Sequence, residues 1–362
     1  MRTITADALV ELLDEPEEYF LMDVREPDEF SEWRIPGAVN VPLGELAARV
    51  GEVPRGREVV TVCAVGSRAS TAAEMLARSG IDAEVLQGGM SAWATVYDEV
   101  EVVLGGATVV QVRRRGKGCL SYLIGAGQSA VVIDPSADVA QYTDRATSRG
   151  WEVTYVVDTH LHADHVSGAR ALADATGATL MLNPADAFEF DFSPLADGMR
   201  IHIGEGADLD VSIVSTPGHT MGSTCFVLGE YALFSGDTLF LESVGRPDLA
   251  DRAEQFAHDL YASLHERVLV HPDALLVFPA HFGESVEVRG GEPTAATLGA
   301  LRSSLRQLEM GEDDFVAWAC SSVKQRPPNY VAIVGANQGA TSIGDEERRG
   351  LEAGPNRCAV AG

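Results

Sequence analysis

The sequence predicts two consecutive α/β domains, and three observations support this fold class. The chain has 362 residues, and at about 100 to 200 residues per domain this length accommodates two domains. Short apolar runs alternate with helical stretches, as they do in sheets that are covered by helices. Near residue 100 an acidic stretch followed by Gly-Gly marks a boundary between two differently patterned halves.

The first domain, over residues 1–100, is predicted to contain a parallel sheet. Its apolar runs are short and helical segments lie between them, which is the pattern of strands joined by crossover helices. The predicted strands are Phe20–Val24, Val59–Cys63 and Ala83–Leu86, and the predicted helices are Leu43–Val50 and Ser70–Ser79.

The second domain is predicted over residues 106–362, after a short linker at Asp98–Ala107 in which Val100–Leu104 is alternatively an edge strand. Strands dominate its beginning and helices return later. The helix predicted at Ala253–Val268 repeats apolar residues every four positions and is therefore amphipathic. We assign no structure to the tail at 340–362. Its first predicted strands along the chain are Val109–Arg113, Leu120–Ile124, Ala130–Ile133 and Thr154–Val157, with a helix at Ala137–Arg149 before the last of them.

Composition and charge exclude several functional classes. Asp and Glu number 54 against 27 Lys and Arg, a net charge of -27, which repels nucleic-acid backbones and anionic lipid surfaces. No apolar run approaches the roughly 20 residues that a membrane-spanning helix needs. The first fourteen residues are acidic where a signal peptide would be basic, so we expect a cytoplasmic protein.

Four potential metal ligands lie within six residues, in the segment His160-Leu161-His162-Ala163-Asp164-His165. This segment directly follows the apolar strand at Tyr155–Val157, so His160 and His162 point to one side of an extended chain. Asp164 and His165 are expected at the opening of a helix on the same rim.

Three further candidate ligands repeat this placement just beyond the end of a strand. His219 follows the strand Val211–Val214, Asp237 follows Leu233-Phe234, and His281 follows Leu275–Phe278. Five of the nine histidines fall in this pattern. The sequence therefore predicts a metal centre in the second domain.

The motif His160-x-His162-x-Asp164-His165 with the three downstream ligands resembles the metallo-β-lactamase superfamily over residues 108–320. The resemblance implies an αββα sandwich with the metal at one edge. It leaves open several activities, including β-lactam hydrolysis, thioester hydrolysis and persulfide oxidation, because fold alone does not determine function.

The segment Gly245-Arg246-Pro247-Asp248 is similar to that of persulfide dioxygenases of the ethylmalonic-encephalopathy type. In thioester hydrolases of the glyoxalase II type a Phe usually stands at the position of Asp248, so these hydrolases are the alternative. The dioxygenase resemblance implies one Fe(II) per chain, bound by His160, His219 and Asp237 as a facial triad with open positions.

The remaining candidates have supporting roles in this interpretation. His162, Asp164, His165 and His281 would form a second metal site or orient the ligands of the first. The same residues would hold two metals, including Zn, in a hydrolase. Arg246 is expected to bind a carboxylate of the thiol that carries the persulfide. Since Phe282-Gly283 replaces the Asp-Tyr that is common in glutathione-using members, the carrier, for example glutathione or coenzyme A, stays open.

A second candidate site lies in the first domain, where Cys63 ends an apolar strand and is followed by Gly66 and a helix. Backbone N–H groups of such a loop surround the sulfur and favour the thiolate. The other cysteines are predicted to be structural or without a role: Cys119 and Cys225 are expected in the core, and Cys358 is expected to be exposed.

Together with Asp23-Val24-Arg25-Glu26, Ile35-Pro36-Gly37-Ala38 and Gly88-Gly89-Met90, the loop Cys63–Arg68 makes residues 1–100 similar to a single rhodanese domain. Cdc25-type phosphatases share that fold, but their loop is one residue longer. The resemblance implies sulfur transfer through a Cys63 persulfide, with Arg68 as the second catalytic candidate.

Both resemblances imply sulfane-sulfur chemistry, namely oxidation of a low-molecular-weight persulfide by O2 to sulfite and thiol, coupled to sulfur transfer with thiosulfate or a thiol. We therefore expect an enzyme of hydrogen sulfide detoxification with small-molecule partners and no nucleic-acid or membrane partner. A homo-oligomer stays open. A binuclear thioester hydrolase with a rhodanese accessory domain and a non-catalytic sulfur-sensing scaffold are also compatible with the sequence.

Overall fold

The fold is given by a computed structural model of the chain. The structure describes residues 2–14, 18–204, 209–247, 252–322, 329–354 and 358. The chain separates into two compact units. The first holds the residues up to Asp98 together with Arg113–Gly118, and the second holds Glu99–Val112, Cys119–Glu352 and Cys358.

The first unit is built on a five-stranded parallel sheet. Its strands are β1 (Arg2–Ile4), β2 (Tyr19–Asp23), β3 (Val39–Asn40), β4 (Glu58–Val62) and β5 (Ala83–Leu86), in the spatial order β1-β5-β4-β2-β3. Its helices are α1 (Ala6–Leu13), α2 (Pro27–Glu32), α3 (Leu46–Arg49), α4 (Ser67–Arg78) and α5 (Gly89–Trp93). Parallel strands need crossover connections, and these helices supply them.

Apolar residues of β2, β4 and β5 are buried on both faces of this sheet. One face packs against the first and fifth helices through Leu9, Leu86 and Trp93. The other packs against α4 through Met22, Ala72 and Leu76. Burial on both sides explains why these strands are continuous apolar runs in the sequence.

The second unit contains two sheets. The seven-stranded sheet has the order β12-β11-β10-β9-β8-β7-β6 and consists of β6 (Tyr97–Leu104), β7 (Ala107–Arg114), β8 (Cys119–Ala126), β9 (Ser129–Ile133), β10 (Glu152–Val157), β11 (Thr179–Leu182) and β12 (Ser193–Pro194). The six-stranded sheet runs in sequence order and consists of β13 (Arg200–His202), β14 (Asp210–Ser215), β15 (Thr224–Leu228), β16 (Ala232–Gly236), β17 (Leu276–Pro279) and β18 (Ala296–Thr297).

Helices cover the outer faces of both sheets. The helices α6 (Ala140–Ser148) and α7 (Ala169–Thr176) pack against the first sheet, and α8 (Ala253–Ala262), α9 (Leu298–Ser304) and α10 (Glu312–Ser321) pack against the second. Two further helices follow, α11 (Tyr330–Gln338) and α12 (Asp345–Leu351). Between the sheets, Tyr122 of β8 meets Phe234 of β16 edge-on, with ring centroids 4.9 Å apart. Phe278 of β17 stacks on Phe234 at 5.4 Å. The unit is therefore an αββα sandwich, as the sequence predicts.

The topology places several strand ends at one edge of the sandwich. Neighbouring parallel strands end at the same edge of a sheet, and β9 and β10 are such a pair, as are β16 and β17. β8 is antiparallel to β9, so it begins at the edge where β9 ends. The residues that follow β9, β10, β16 and β17 and the residue that begins β8 can therefore approach one another.

Three local predictions differ from the structure. Residues 98–107, expected as a linker with Val100–Leu104 as a possible edge strand, belong mainly to β6 and β7, so the edge-strand alternative is confirmed. The two strands pair because Gly105 and Gly106 form a tight turn between them. Asp164 and His165 precede α7 in an irregular loop, since that helix begins only at Ala169.

The tail also departs from the expectation, because α12 lies within it and only 355–357 and 359–362 fall outside the described residues. The amphipathic helix at 253–268 is present as α8 continued by a π-helical turn, Ser263–Val268. Across the residues that the structure covers, no helix combines the length and apolarity needed to span a bilayer.

Candidate metal centre and cysteine loop

Three buried side chains converge where β10, β14 and β16 end. The Nε2 atoms of His160 and His219 lie 3.6 and 3.3 Å from Oδ2 of Asp237. Each of these three atoms is buried and has no hydrogen-bond partner among the described residues. Ligands bound to one metal at about 2.0–2.2 Å lie about 3.0–3.5 Å apart, so the spacing fits a single ion. Unpaired buried polar atoms are costly, and a metal would satisfy all three.

Hydrogen bonds on the far side of each ring fix which nitrogen faces this centre. The Nδ1 of His219 lies 2.9 Å from the carbonyl oxygen of Arg246, which can only accept, so Nδ1 carries the proton and Nε2 keeps its lone pair. The Nδ1 of His160 donates in the same way to Oγ1 of Thr159 at 2.9 Å, because that hydroxyl donates its own proton to Asp134.

The electrostatics keep the three candidate ligands in their metal-binding protonation states. Burial lowers the pKa of His160 well below the usual histidine range and also lowers the pKa of His219. Although burial opposes ionisation of Asp237, His281 and His160 outweigh it and lower the pKa of that carboxyl group. Neutral imidazoles and an ionised carboxylate are the forms that bind a metal.

A second cluster of ligand atoms adjoins the first. Asp164 accepts from His165 Nδ1 at 3.1 Å and pairs with His281 Nε2 at 3.0 Å. Cys119, expected as a core cysteine, is buried at the start of β8, and its Sγ lies 3.5 Å from Oδ2 of Asp164. The four ligand atoms lie within 4.8 Å of one another. They would fit a second metal of the kind that a binuclear hydrolase uses.

Cys119 differs from an ordinary buried thiol because of this cluster. Burial and the Asp164 carboxylate oppose its ionisation, but His281 and His165 outweigh them and lower the pKa of Cys119 to about 7. Its position follows from the antiparallel pairing of β8 with β9, which the apolar sequence of β8 does not reveal.

His162 belongs to neither cluster alone. Its Nε2 contacts Oδ1 of Asp134 at 3.2 Å, and its ring packs against that of His160 with centroids 4.2 Å apart. Its Nδ1 is buried without a hydrogen-bond partner in the described ranges. Burial and His165 oppose protonation, but Asp134 and Asp158 raise the pKa of His162. His162 can therefore either donate to a metal at the triad or hold the neighbouring ligands in place.

Arg246 and Cys358 complete the surroundings of the triad. Arg246 is buried, its carbonyl holds His219, and its amide donates to the carbonyl of Cys358 at 3.0 Å. Cys358 is itself buried, contrary to the expectation that it is exposed, because its main chain is bonded to Arg246 beside the triad. Its Sγ lies within 4.8 Å of ligand atoms of Asp237 and His281. Burial and the carboxylates of Asp164 and Asp237 raise the pKa of Cys358.

Sequence reasoning missed several residues that position the ligands. Asp134 follows β9 and binds Thr159 and His162, so the strand-end rule that identified the other ligands would have found it. Asp186 accepts from Leu161 N at 2.8 Å and from Gly222 N at 2.9 Å, and thereby joins two ligand loops. No local signal marks Asp186.

Two residues near the C-terminal helices, Asn337 and Glu352, also hold the histidine loop, and the sequence does not mark them either. Asn337 of α11 donates to the carbonyls of His162 and His165 at 2.9 and 2.8 Å. Glu352, directly after α12, accepts from Val166 N at 2.8 Å. Both are buried, so the C-terminal helices are part of the candidate site.

The first unit holds the cysteine loop between β4 and α4. Cys63 is buried, and the amide of Gly66 donates to its Sγ at 3.1 Å. The amides of Met90 and Ser91 donate to the carbonyls of Cys63 and Ala64 at 2.9 and 3.1 Å, so α5 supports the loop from below. The loop thus presents a backbone donor to the sulfur, as the sequence predicts.

Arg68 lies in the first turn of α4 and forms a bidentate salt bridge with Glu29, with both N···O distances at 2.7 Å. This contact lowers the pKa of Glu29 to about 2. Asp23 and Arg25 form a separate buried pair at 2.7 Å that braces the end of β2. Asp248, the residue on which the sequence separates dioxygenases from glyoxalase II enzymes, lies outside the described residues.

Comparison with known proteins identifies both domains. The model of the Rhodanese-like domain matches residues 5–95, and that of the Metallo-beta-lactamase superfamily matches residues 114–281. The second unit is 33% identical to the mitochondrial persulfide dioxygenase ETHE1 of Bos taurus over 171 residues, which cover 46% of this chain and 65% of the bovine protein. The chain thus spans slightly less than two thirds of that relative.

Hydrolases of the same superfamily are similar at comparable levels. A hydroxyacylglutathione hydrolase of Acidiphilium cryptum is 33% identical over 43% of this chain and 62% of its own length. The zinc-dependent hydrolase BaeB of Bacillus velezensis, described as a polyketide biosynthesis protein, is 30% identical over 43% of this chain and 69% of its own length.

Among solved structures, ETHE1 from Myxococcus xanthus superimposes with a TM-score of 0.56 at 28% identity. The superposition covers 64% of this chain and 98% of that structure. The chain therefore carries a rhodanese-like domain followed by a domain that belongs to the metallo-β-lactamase superfamily.

Proposed function

We propose that the second unit is an Fe(II)-dependent persulfide dioxygenase and that the first is a sulfurtransferase. The observation that carries the proposal is the convergence of the unpaired atoms of His160, His219 and Asp237, two imidazole nitrogens and one carboxylate oxygen. A 2-His-1-carboxylate set with open positions is typical of non-haem Fe(II) oxygenases. The similarity to persulfide dioxygenases of mammals and of Myxococcus xanthus supports the substrate class.

Fe(II) at these three side chains would supply open positions for O2 and a persulfide, and the electrons that activate O2. The protein's own residues prepare that site. Thr159 and the Arg246 carbonyl hold the two imidazoles with Nε2 toward the centre, and His281 holds Asp237 through Oδ1 at 2.6 Å. In the overall reaction one persulfide, one O2 and one water give one thiol, one sulfite and two protons.

The cysteine loop would perform sulfur transfer. The Cys63 thiolate attacks the outer sulfur of thiosulfate, the S–S bond of thiosulfate breaks, and sulfite leaves with the electron pair. The Cys63 persulfide then passes that sulfur to a thiol or, in reverse, to sulfite. The amide of Gly66, which donates to Sγ, stabilises the Cys63 thiolate that attacks in the first step and is regenerated in the second.

The two activities together suit the removal of hydrogen sulfide through small-molecule persulfides, thiosulfate and O2, in the cytoplasm. The acidic surface supports small-molecule partners over nucleic acid, since a net charge of -27 repels phosphate backbones.

O2 uptake tests the dioxygenase proposal directly. Protein purified without O2 and loaded with Fe(II) should consume O2 when glutathione persulfide is added and release sulfite, and iron-free protein should do neither. If O2 uptake proceeds equally without iron, or if loaded protein consumes none with any persulfide supplied, the dioxygenase assignment is wrong.

A thioester hydrolase is the second candidate, because Cys119, Asp164, His165 and His281 offer donors for a second metal beside the triad. The similarity to hydroxyacylglutathione hydrolase supports it. A hydrolase would contain about two metals per chain and would cleave S-lactoylglutathione without O2. Metal analysis together with an anaerobic thioester assay therefore separates the two candidates.

A further inference from the structure

Cys358 places a protein thiol inside the candidate metal centre. The side chain is 4% exposed, and its Sγ lies within 4.8 Å of an Asp237 oxygen and a His281 nitrogen. The Oδ2 atom of Asp237, which is buried and has no hydrogen-bond partner in the described part of the chain, marks the place where a ligand binds. A thiol at this position is next to the reacting centre.

The structure holds this part of the tail against the site at several points. The carbonyl of Cys358 accepts from the amide of Arg246 at 3.0 Å. The carbonyl of Arg246 also accepts from His219 Nδ1, so the main chain of this one residue contacts both the His219 ligand and Cys358. Upstream, the buried side chains of Asn337 and Glu352 bind the histidine loop. The backbone of Cys358 is therefore held by Arg246, the residue whose carbonyl also orients the His219 ligand.

The surroundings of Arg246 bear on how a persulfide arrives. A freely diffusing carrier thiol would need a group that binds its carboxylate, and Arg246 is the sequence candidate for that role. The side chain of Arg246 is only 2% exposed, however, and its main chain is taken up by Cys358 and His219. The residue expected to bind a small-molecule carrier is therefore buried and in main-chain contact with a protein thiol.

We propose that Cys358 is the carrier thiol, so that the persulfide oxidised at this centre is a persulfide of Cys358. This inference rests on the proposed dioxygenase function and names its immediate substrate. In the loading step the Cys358 sulfur attacks the outer sulfur of an incoming persulfide, a new S–S bond forms, and the old S–S bond breaks. The Cys358 proton goes to the departing thiolate, so that no oxidant or reductant is needed.

The geometry suits such a step. An S–S bond is about 2 Å long, and the Cys358 sulfur already lies within 4.8 Å of ligand atoms of Asp237 and His281, so one added sulfur can reach the metal centre without a large movement of the side chain. Oxidation of the outer sulfur to sulfite would return Cys358 to its thiol form. Holding the reacting sulfur on the protein also removes the entropic cost of positioning a diffusing persulfide at each turnover.

Sulfur labelling in the absence of O2 tests the loading step separately from the oxidation step. Iron-loaded protein is treated with glutathione persulfide in the absence of O2, alkylated, digested and analysed by mass spectrometry. We expect the peptide that contains Cys358 to gain the mass of one sulfur atom. In a parallel sample that receives O2 before alkylation, this added mass should be lost and sulfite should be released. The label should persist in Cys63→Ser and Cys320→Ser, which remove the cysteine of the first unit and the exposed cysteine of α10.

Kinetics supply the second readout. Cys358→Ser should keep its iron and lose about a hundredfold or more of its O2 uptake, whereas Cys320→Ser, at an exposed cysteine of α10, should behave as wild type. Because every carrier would converge on the same Cys358 persulfide, wild type should show ping-pong kinetics. It should also reach the same maximal rate with glutathione persulfide and coenzyme A persulfide.

Three results would overturn the proposal, and they differ from a failure of the dioxygenase function itself. An unlabelled Cys358 peptide, or full O2 uptake by Cys358→Ser, shows that a small-molecule persulfide is the substrate while the dioxygenase stands. Loss of iron in Cys358→Ser assigns the thiol to metal binding. Wild-type protein that consumes no O2 contradicts the proposed function, whatever label Cys358 carries.

Discussion

Hydrogen bonds of individual residues decide which atoms of the candidate metal centre are free to bind. His219 and His160 each donate Nδ1–H to an oxygen, so that each Nε2 lone pair faces Asp237. The accepting oxygens belong to Arg246 and Thr159, which do not bind the metal in this arrangement. These two residues therefore determine the tautomers of the two histidine ligands.

Substitution of a single ligand should empty the site. His219→Ala leaves two donors where three are needed, so we expect iron content to fall from about one per chain to near zero. The loss of affinity should exceed the roughly 10- to 100-fold that follows from removing a residue that only orients a ligand. Metal analysis after dialysis measures this. His202→Ala, an exposed histidine on β13 that pairs with Asp210, is the matched control and should retain iron. Wild-type iron in His219→Ala would show that the triad is wrongly chosen.

The salt bridge between Glu29 and Arg68 predicts a pH effect at one residue. The folded pKa of Glu29 is lowered to about 2 from 4.5, so its contribution to stability is fully present above pH 4.5 and is lost as pH falls through 2. Both side chains are about one third exposed, so solvent limits the contribution to less than about 1 kcal/mol. NMR titration should place the Glu29 pKa near 2 in wild type and near 4.5 in Arg68→Ala. Glu52, which Arg49 holds, should titrate identically in both proteins.

The loops that follow the strands are the elements that bring the ligands together, and their backbones approach closely. Gly245 lies beside the Asp237 loop and the His219 side chain: a Cβ built on it would lie 2.0 Å from the Asp237 carbonyl oxygen and 3.1 Å from the Cβ of His219. Only glycine permits this approach.

Gly245→Ala should therefore disturb two ligand loops at once. We expect a loss of about 1–3 kcal/mol in the free energy of unfolding, together with weaker iron binding, measured by urea denaturation and metal analysis. Gly311→Ala, at the start of α10, places its Cβ in open space and should change neither. Unchanged iron affinity in Gly245→Ala would show that the ligand loops adapt to the methyl group.

The helix α11 contributes to the site through one side chain. Asn337→Ala removes the partners of two carbonyls, those of His162 and His165, and of the Ser167 amide. Because unpaired buried polar groups each cost about 1–3 kcal/mol, we expect a measurable loss of stability. Amides of the histidine loop should also exchange faster with deuterium. Val331→Ala on the same helix, where the side chain is 75% exposed, should leave exchange unchanged. Wild-type exchange in Asn337→Ala would mean that the loop is rigid without the helix.

At the scale of the whole molecule, two chemically distinct centres lie in separate compact units of one chain. Each centre has its own reactive atoms and its own supporting hydrogen bonds within its unit, so the proposed activities should be separable by mutation.

Cys63→Ser should abolish thiosulfate sulfurtransferase activity and leave O2 uptake on a supplied persulfide at the wild-type level, because it removes the nucleophile of one unit and touches no metal ligand. Cyanolysis of thiosulfate and an O2 electrode measure the two activities on the same preparation. Loss of both activities in a folded variant would contradict separable centres.

The amino-acid sequence by itself determined the two-part α/β organisation and the ligand candidates, and the resemblance carried by those candidates implied the αββα arrangement of the second unit. Alternation of apolar runs with helical stretches predicts strands and helices locally. Residues such as His160, His219, Asp237 and His281 are recognisable because they directly follow buried strands, a feature that a single segment contains.

Only the tertiary structure decided which candidates meet and what surrounds them. Cys119 reaches the centre through the antiparallel pairing of β8, and Cys358 is held there by the Arg246 amide. Asn337 and Glu352 act across more than 170 residues of sequence. Their roles depend on distances between segments that are far apart in the chain, and local propensity and spacing carry no information about such distances. The physical reason is that the residue type at one position sets the chemistry of its side chain, whereas the packing of the whole unit determines which other side chains it contacts.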